Sequence, residues 1–237
     1  MKIALLGYGK MGKVIEKIAV SRGHEIVVTI DNNKEWKESH ELLAKVDIAI
    51  DFSTPSNILA NINSCLNRRI PLVVGTTGWY NKMDVLKEKC ATLNSSLLWA
   101  SNFSIGVNIF FKINQELAKL MNKYENYDVS IEEIHHTAKL DTPSGTAISL
   151  ANDIIGNIKR KNKWVLGESD NKSNLSINSK RVDPIPGTHS IKYESEIDDI
   201  EIIHTAKSRE GFAMGSVIAA EWLVDKKGWY EFKEVFF

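Results

Sequence analysis

Three glycines near the start of the chain constrain its fold more than any other feature. Lys2 to Leu6 is a short apolar run ending in Gly7-Tyr-Gly9-Lys-Met-Gly12, and Val14, Ile15, Ile18 and Ala19 then recur at a helical period up to Ser21. A glycine-x-glycine-x-x-glycine turn between a strand and a helix is built for a dinucleotide. The first glycine permits the tight turn, the second lets backbone approach a pyrophosphate, and the third allows close helix–strand packing. The helix start then offers bare N–H groups and the positive end of its dipole to the phosphates. The next apolar run, Glu25 to Ile30, ends at Asp31, nineteen residues beyond Gly12, where a ribose-binding carboxylate is expected. The bland alternative is a glycine turn in an unrelated α/β protein, with Asp31 a solvated strand end.

The same rhythm continues. Val46 to Ile50 leads to Asp51-Phe52-Ser53-Thr54-Pro55, a helical stretch runs from Asn57 to Leu66, and Pro71 to Val74 is a strand stopped by Gly75-Thr76-Thr77-Gly78. Met83 to Leu93 is helical and Leu97 to Ala100 a further strand. Strands alternating with helices imply a parallel sheet with right-handed crossovers. The loops at Phe52–Pro55 and Gly75–Gly78 fall at the carboxyl ends of strands, where ligands bind, and their small residues suit backbone contact with a flat ring. Turn punctuation is the alternative for each.

Past Asn102 the pattern changes to a long helix, Asn108 to Asn122, then strands at Tyr127–Ile134, Leu175–Asn178, His189–Ser195 and Ile200–Ala206, with a helix at Thr146–Ile158 among them. Polar Arg160–Asn174 reads as a solvated loop. Ser216 to Val224 is a last apolar helix, and the aromatic tail Trp229–Phe237 is expected to pack back on the first domain. The expected architecture is α/β: a Rossmann-type parallel-sheet nucleotide domain, residues 1–105 and 215–237, plus an α+β mixed-sheet domain, residues 106–214.

Composition narrows the function by exclusion. Thirty basic and 30 acidic residues leave no net charge, so no polyanion-binding surface and no nucleic-acid partner are expected. Cys65 and Cys90 are the only cysteines and form no CxxC, which argues against a structural zinc site and a disulfide framework. No apolar run approaches a membrane span. Gly7, Gly9 and Gly12 break the first apolar stretch, so a signal peptide is not expected and the protein is read as cytoplasmic.

Glu132 to Ala147 is the most informative segment. His135, His136 and Lys139 bring three potential proton donors together, and histidine can act as a general acid near neutral pH. Pro143-Ser144-Gly145-Thr146 then opens a helix, with Ser144 as its cap and the N–H groups of Gly145 and Thr146 as an anion site. Proton donors followed by a carboxylate cradle suit reduction of a carboxylated imine or enamine. The alternative is a satisfied surface histidine pair before an ordinary capped helix. Adjacent residues in a strand rarely aim both rings at one ion, and no third ligand is suitably spaced, so no metal is expected. A second His-Thr-Ala-Lys, at His204–Lys207, lacks the neighbouring histidine and the Pro-Ser-Gly-Thr turn, and reads as structural.

The motif Glu-x-His-His-x-x-Lys-x-Asp-x-Pro-Ser-Gly-Thr-Ala resembles the signature of the dihydrodipicolinate (4-hydroxy-tetrahydrodipicolinate) reductase family. Ordered matches run almost the full length: Gly7–Gly12, Asp51–Thr54, Gly75–Gly78, Ala100–Ser104, Arg181 and Ser208–Gly215. The resemblance implies a cofactor domain, a substrate domain that builds a homotetramer, and a hinge between them. It also implies hydride transfer from a nicotinamide to a cyclic dicarboxylate in lysine and diaminopimelate synthesis. Carried over by match, His135 is the general acid, Lys139 the second proton donor, and His136, Ser144, Gly145 and Thr146 contact substrate. Gly7, Gly9, Lys10, Met11, Gly12, Asp31, Phe52, Ser53, Gly75, Thr76, Thr77, Ser101, Asn102 and Phe103 contact the cofactor. Asp31 should repel a 2′-phosphate while nearby Lys34 softens the repulsion, so both NADH and NADPH are expected to serve, NADH preferred. Two places depart from the family pattern: Gly187-Thr188-His189 stands where Gly-Glu-His is usual, and Val182-Asp183-Pro184-Ile185-Pro186 follows Arg181 in place of a glycine-containing loop. A reductase resembling aspartate or homoserine dehydrogenase would share the glycine loop but not the His-His-x-x-Lys and Pro-Ser-Gly-Thr pair. A catalytically silent cofactor sensor would lack the proton donors.

Overall fold

The computed structural model describes Met1–Phe237 except for the side chain of Asn33. The chain divides into two compact units, Met1–Ile105 with Arg209–Phe237, and Gly106–Ser208. In chain order the first unit begins with β1 (Lys2–Leu6), α1 (Lys10–Ser21), β2 (Glu25–Ile30), two short helices α2 (Asn33–Glu38) and α3 (His40–Leu43), and β3 (Ile48–Asp51). It continues through α4 (Ile58–Arg68), β4 (Leu72–Val74), α5 (Met83–Thr92) and β5 (Ser96–Trp99). The second holds α6 (Ile105–Met121), β6 (Asp128–His135), α7 (Gly145–Asn157), β7 (Lys163–Leu166), β8 (Asn174–Arg181), β9 (Gly187–Glu194) and β10 (Asp199–Ala206). The chain then returns to the first unit with α8 (Glu210–Leu223), β11 (Gly228–Glu231) and α9 (Phe232–Phe236).

The first unit is a six-stranded, all-parallel sheet in the order β11-β5-β4-β3-β1-β2. Strands buried on both faces have to be apolar throughout, and Ile3–Leu6 and Ile48–Ile50 are. Ile3 and Leu5 face one layer with Ile15, Ile18, Val217 and Leu223, whereas Ala4 and Leu6 face the other with Ile62, Leu66, Leu86 and both free cysteines. Strand order reverses direction at β1, so the carboxyl ends of β1 and β3 flank the switch point where such sheets bind ligands. The aromatic tail docks as expected: β11 extends the sheet beside β5, and Phe232 is fully buried.

The boundary expected at residue 215 falls instead at Arg209. A boundary at residue 215 would cut α8, whose buried Ala213, Ser216, Val217 and Ala220 recur at helical spacing. Gly215 is required there, since a Cβ would lie 1.8 Å from the Phe103 carbonyl oxygen.

The second unit is a five-stranded mixed sheet, β10-β9-β6-β8-β7, with β6, β8 and β7 parallel and β9 and β10 antiparallel. Val129, Ile131, Leu175, Ile177, Ile191 and Tyr193 form its apolar face, packed with Phe110 and Ala118 of α6 and Leu150 and Ile154 of α7. Arg160–Asn174 is not simply a loop, because β7 pairs with β8 within it. Order comes from Lys161 rather than from any apolar period: its buried ammonium donates to the carbonyls of Lys172 and Asn174 at 2.8 and 2.7 Å and meets Asp128 at 2.6 Å.

Candidate functional site

Within the first unit, the three glycines divide their work. Gly7 has φ +91°, a value L side chains rarely adopt, and a Cβ there would lie 2.4 Å from the Phe52 carbonyl oxygen. A Cβ on Gly12 would fall 2.4 Å from the Gly7 oxygen. Gly9, by contrast, has no atom of the described residues within 4 Å of where a Cβ would sit, and it caps α1 with no side-chain hydrogen bond. Two glycines therefore hold the turn together and one leaves open surface at a helix start bordered by exposed Lys10 and half-buried Met11. A pyrophosphate fits that combination.

Asp31, just past β2, takes the Tyr8 N–H at 2.6 Å on one carboxylate oxygen, so it fastens the glycine loop. Its own N–H donates to Glu35 at 2.6 Å, which brings a second carboxylate alongside. Lys34, expected to soften this charge, pairs instead with Glu38 at 3.6 Å.

The loops after β3 and β4 are tied by Asp51, which the sequence did not single out. Its buried carboxylate accepts from Ser53 N (3.0 Å), Ser53 Oγ (2.9 Å), Thr76 Oγ1 (2.6 Å) and Asn61 Nδ2 (2.7 Å). Burial pushes its carboxyl up from the ordinary value, against these bonds. Because Ser53 and Thr76 spend their hydroxyls inward, these loops offer a ligand mainly backbone, with Thr77 exposed. Gly75 makes room for the Phe52 ring, which a Cβ would strike at 2.3 Å. Ser101 is exposed, and Asn102 accepts the Ser104 N–H at 2.8 Å. Phe103 is 1% exposed, and its ring packs on Phe232 at 5.0 Å between ring centroids.

In the second unit, the segment read as chemically active surrounds Glu133, the carboxylate that opens the Glu-x-His-His motif and to which the sequence assigned no role. Glu133, in the middle of β6, is completely buried. Both its oxygens accept the Ser144 N–H at 3.1 Å, and Oε1 also accepts from Ser179 Oγ at 2.8 Å and lies 3.5 Å from the Arg181 guanidinium. Oε2 faces His135 Nδ1 at 3.5 Å and His189 Nε2 at 3.8 Å. Burial opposes the charge of Glu133, but bonds from Ser144 and Ser179 and the nearby His135 outweigh it and hold its pKa below the usual value. These three ligand-type side chains cluster within 4.8 Å. A cation would have to compete there with Arg181 and with the Ser144 and Ser179 donors already on the carboxylate.

His135 closes β6 and is buried, which pulls its pKa down against the raising influence of Glu133. Nε2 lies against Gly187, where a Cβ would come within 3.1 Å, so the glycine of the departing Gly-Thr-His turn gives the ring its space. His189 of that turn stacks edge-on with His135, centroids 5.0 Å apart, and contacts Ser144 Oγ at 3.2 Å. Burial first, and the neighbouring His135 second, push His189 down to about 4. His136 is half-buried and lies near Asp183. Lys139 pairs with exposed Asp141 at 2.9 Å.

Clamps fix the loop from His135 to α7. Arg181 donates to the Asp141 carbonyl and to Thr142 Oγ1, each at 2.6 Å. Asp183, in the stretch that departs from the family, takes Thr137 N and Oγ1 at 3.1 and 2.6 Å. Ser144 caps α7 through Ala147 N at 3.2 Å as expected. The N–H groups of Gly145 and Thr146 have no acceptor among the described residues. His204, the second-copy histidine, stacks on Phe110 at 5.9 Å.

Family models of the dihydrodipicolinate reductase N-terminus and C-terminus match residues 1–103 and 106–236. The 4-hydroxy-tetrahydrodipicolinate reductase of Christiangramia forsetii is 49% identical over 235 residues, covering 99% of this chain and 97% of the relative. That of Thermosipho africanus is 34% identical over 241 residues, covering 99% and 97%. Among solved structures, a dipicolinate-bound dihydrodipicolinate reductase from Paenisporosarcina sp. TG-14 superposes with TM-score 0.79 at 22% identity, covering 100% of this chain and 99% of that one. An amine dehydrogenase from Mycobacterium smegmatis shares the fold at TM-score 0.59 and 9% identity, covering 96% and 93%.

Proposed function

Because this chain belongs to the dihydrodipicolinate reductase family, we propose that its residues carry out the reduction of 4-hydroxy-tetrahydrodipicolinate to tetrahydrodipicolinate in lysine and diaminopimelate synthesis, with His135 as proton donor and the start of α7 as carboxylate site. The enzyme is a nicotinamide-dependent oxidoreductase. Bound NADH or NADPH supplies the hydride. Gly9 and the open start of α1 admit the pyrophosphate, and Asp31 receives the adenosine ribose hydroxyls on the oxygen that Tyr8 leaves free. NADH is preferred, because Asp31 and Glu35 place two carboxylates where a 2′-phosphate would sit and Lys34 is engaged by Glu38.

On the substrate side, loss of the 4-hydroxyl as water leaves a conjugated ring that takes the hydride at carbon, and His135 gives the proton that completes the two-electron reduction. Lys139 is the second proton donor and balances substrate charge. His136 and Ser144 contact the ring, and the Gly145 and Thr146 N–H groups hold one carboxylate. The observation that carries this reading is a single one: Ser144, which opens α7, donates its N–H to a buried carboxylate at 3.1 Å, and His135 Nδ1 lies 3.5 Å from that same group. The solved Paenisporosarcina relative holds dipicolinate, a flat ring with two carboxylates. The reading invokes no metal ion. Assembly as a homotetramer and a cytoplasmic setting belong to the same proposal, and sedimentation equilibrium tests the first.

Inhibition tests the carboxylate site. Pyridine-2,6-dicarboxylate should compete with substrate, and pyridine-2-carboxylate should bind more than tenfold more weakly, since a lost charged hydrogen bond is worth about 1.5–3 kcal/mol. A Cβ at Gly145 meets no atom within 4 Å, so Gly145→Val should fold normally and lose most of that inhibition while keeping NADH affinity. Equal inhibition by the two acids, or an unaffected variant, would reduce the helix start to a mere cap.

A further inference from the structure

Among the described residues of the second unit, Glu133 is the only fully buried carboxylate. A buried charge persists only where it is paired and hydrogen-bonded, and its partners here fall on two sides. Oε1 and the shared Ser144 N–H lock the start of α7 to β8 through Ser179 and Arg181. Oε2 is turned to the histidines. Among the described residues His135 Nδ1 is buried without a hydrogen-bond partner, and the anion nearest it is this oxygen, at 3.5 Å. The other ring nitrogen lies where Gly187 supplies no side chain.

We propose that Glu133 is a positioning residue for the reaction: one buried carboxylate both fixes the carboxylate-binding helix start and provides the fixed negative charge against which His135 carries the proton it delivers from Nε2. This rests on the reading of His135 as general acid. The charged and titratable groups facing His135 are Glu133 on its own strand, Lys139 and Asp141 in the following loop, Arg181 on β8 and His189 on β9. Lys139 and Arg181 oppose protonation of the ring, and burial does so as well. His189, held near 4 by burial, adds no charge at neutral pH. Asp141 is exposed and already paired with Lys139. Glu133 is therefore the buried charge that favours the protonated ring. After the proton leaves Nε2, the neutral ring keeps its remaining proton on Nδ1, facing Glu133.

Glu133→Gln keeps an acceptor for the Ser144 N–H but removes the charge. The alkaline limb of kcat/KM against pH should then move down by about one unit, as loss of an opposite charge at this distance does. At a pH above both limbs the rate should fall by about tenfold, while the inhibition constant of pyridine-2,6-dicarboxylate should stay within about threefold of wild type. Glu133→Ala should lose both the limb position and the inhibitor. A uniform loss of rate at every pH with an unmoved limb would make Glu133 merely structural and overturn the proposal. The wild-type enzyme provides a check that needs no variant: nitrogen NMR of ring-labelled protein should find neutral His135 protonated on Nδ1, and a proton on Nε2 would overturn it. Normal turnover by His135→Gln would sink the general-acid reading and this proposal together. An inactive His135→Gln with an unmoved Glu133→Gln limb sinks the proposal alone.

Discussion

Gly9 and Gly12 lie three residues apart in one motif, yet alanine at each should damage the protein in different ways. At Gly12 the new methyl would lie 2.4 Å from the Gly7 oxygen, where ordinary contact begins near 3.4 Å, so the turn would have to open by about 1 Å. Gly7 is itself wedged against Phe52. Forcing extra volume into such packing costs about 1–3 kcal/mol. Alanine's advantage over glycine within a helix returns at most about 1 kcal/mol, so the clash leaves a net cost of up to about 2 kcal/mol. In a chain of this size that lowers the melting temperature by up to about 8 °C. At Gly9, φ is −76° and nothing lies within 4 Å, so alanine fits the empty protein and stability should change by less than about 1 kcal/mol. The methyl would instead stand where the pyrophosphate must approach, and NADH affinity should fall by about tenfold or more. Thermal unfolding without cofactor, paired with NADH titration by fluorescence, separates the two effects. A Gly12→Ala protein melting at the wild-type temperature, or a Gly9→Ala protein binding NADH normally, would refute this division of labour.

Cofactor choice should follow the carboxylates beside the glycine loop. kcat/KM should favour NADH, and Glu35→Gln should raise the NADPH value several-fold with little change for NADH; a strong NADPH preference in the wild type would mean that Asp31 does not face the ribose. Stability should depend on pH through His189, whose pKa is lowered to about 4 by burial while the unfolded chain protonates near 6.5. The stabilisation is complete above about pH 6.5 and is lost as pH falls towards 4, a total of about 3 kcal/mol. Chemical denaturation across that window should show a steeper loss in the wild type than in His189→Gln, and equal slopes would contradict the buried neutral ring.

Much of the first unit was legible because its signals are local. β1 and β2 fall on Lys2–Leu6 and Glu25–Ile30, where apolar runs and glycine punctuation placed them. A parallel strand buried on both faces writes itself as an uninterrupted apolar run. Short α2 and α3 carry little period and went unread. β7 sits in a polar stretch whose order depends on one buried lysine and carbonyls up to 13 residues away. The site divides the same way. His135, Lys139 and the Ser144 cap stand in one segment with recognisable chemistry, whereas Glu133 and His189 acquire meaning only through partners such as Ser179, 46 residues along the chain. A buried acid and an exposed one look alike in sequence. Glu132 and Glu133 are adjacent, and only strand alternation, with one side chain in and the next out, separates them. Asp51 was hidden for a related reason, since its partners Asn61 and Thr76 come from different elements.

Substrate-dependent oxidation of NADH by the purified protein tests the central claim most directly. With freshly generated 4-hydroxy-tetrahydrodipicolinate, the wild-type enzyme should consume one NADH per molecule of substrate. His135→Gln and Lys139→Ala should each turn over about a hundredfold more slowly or worse, with NADH affinity nearly unchanged. No oxidation above background by the folded wild type, or near-normal turnover in both variants, would contradict the account.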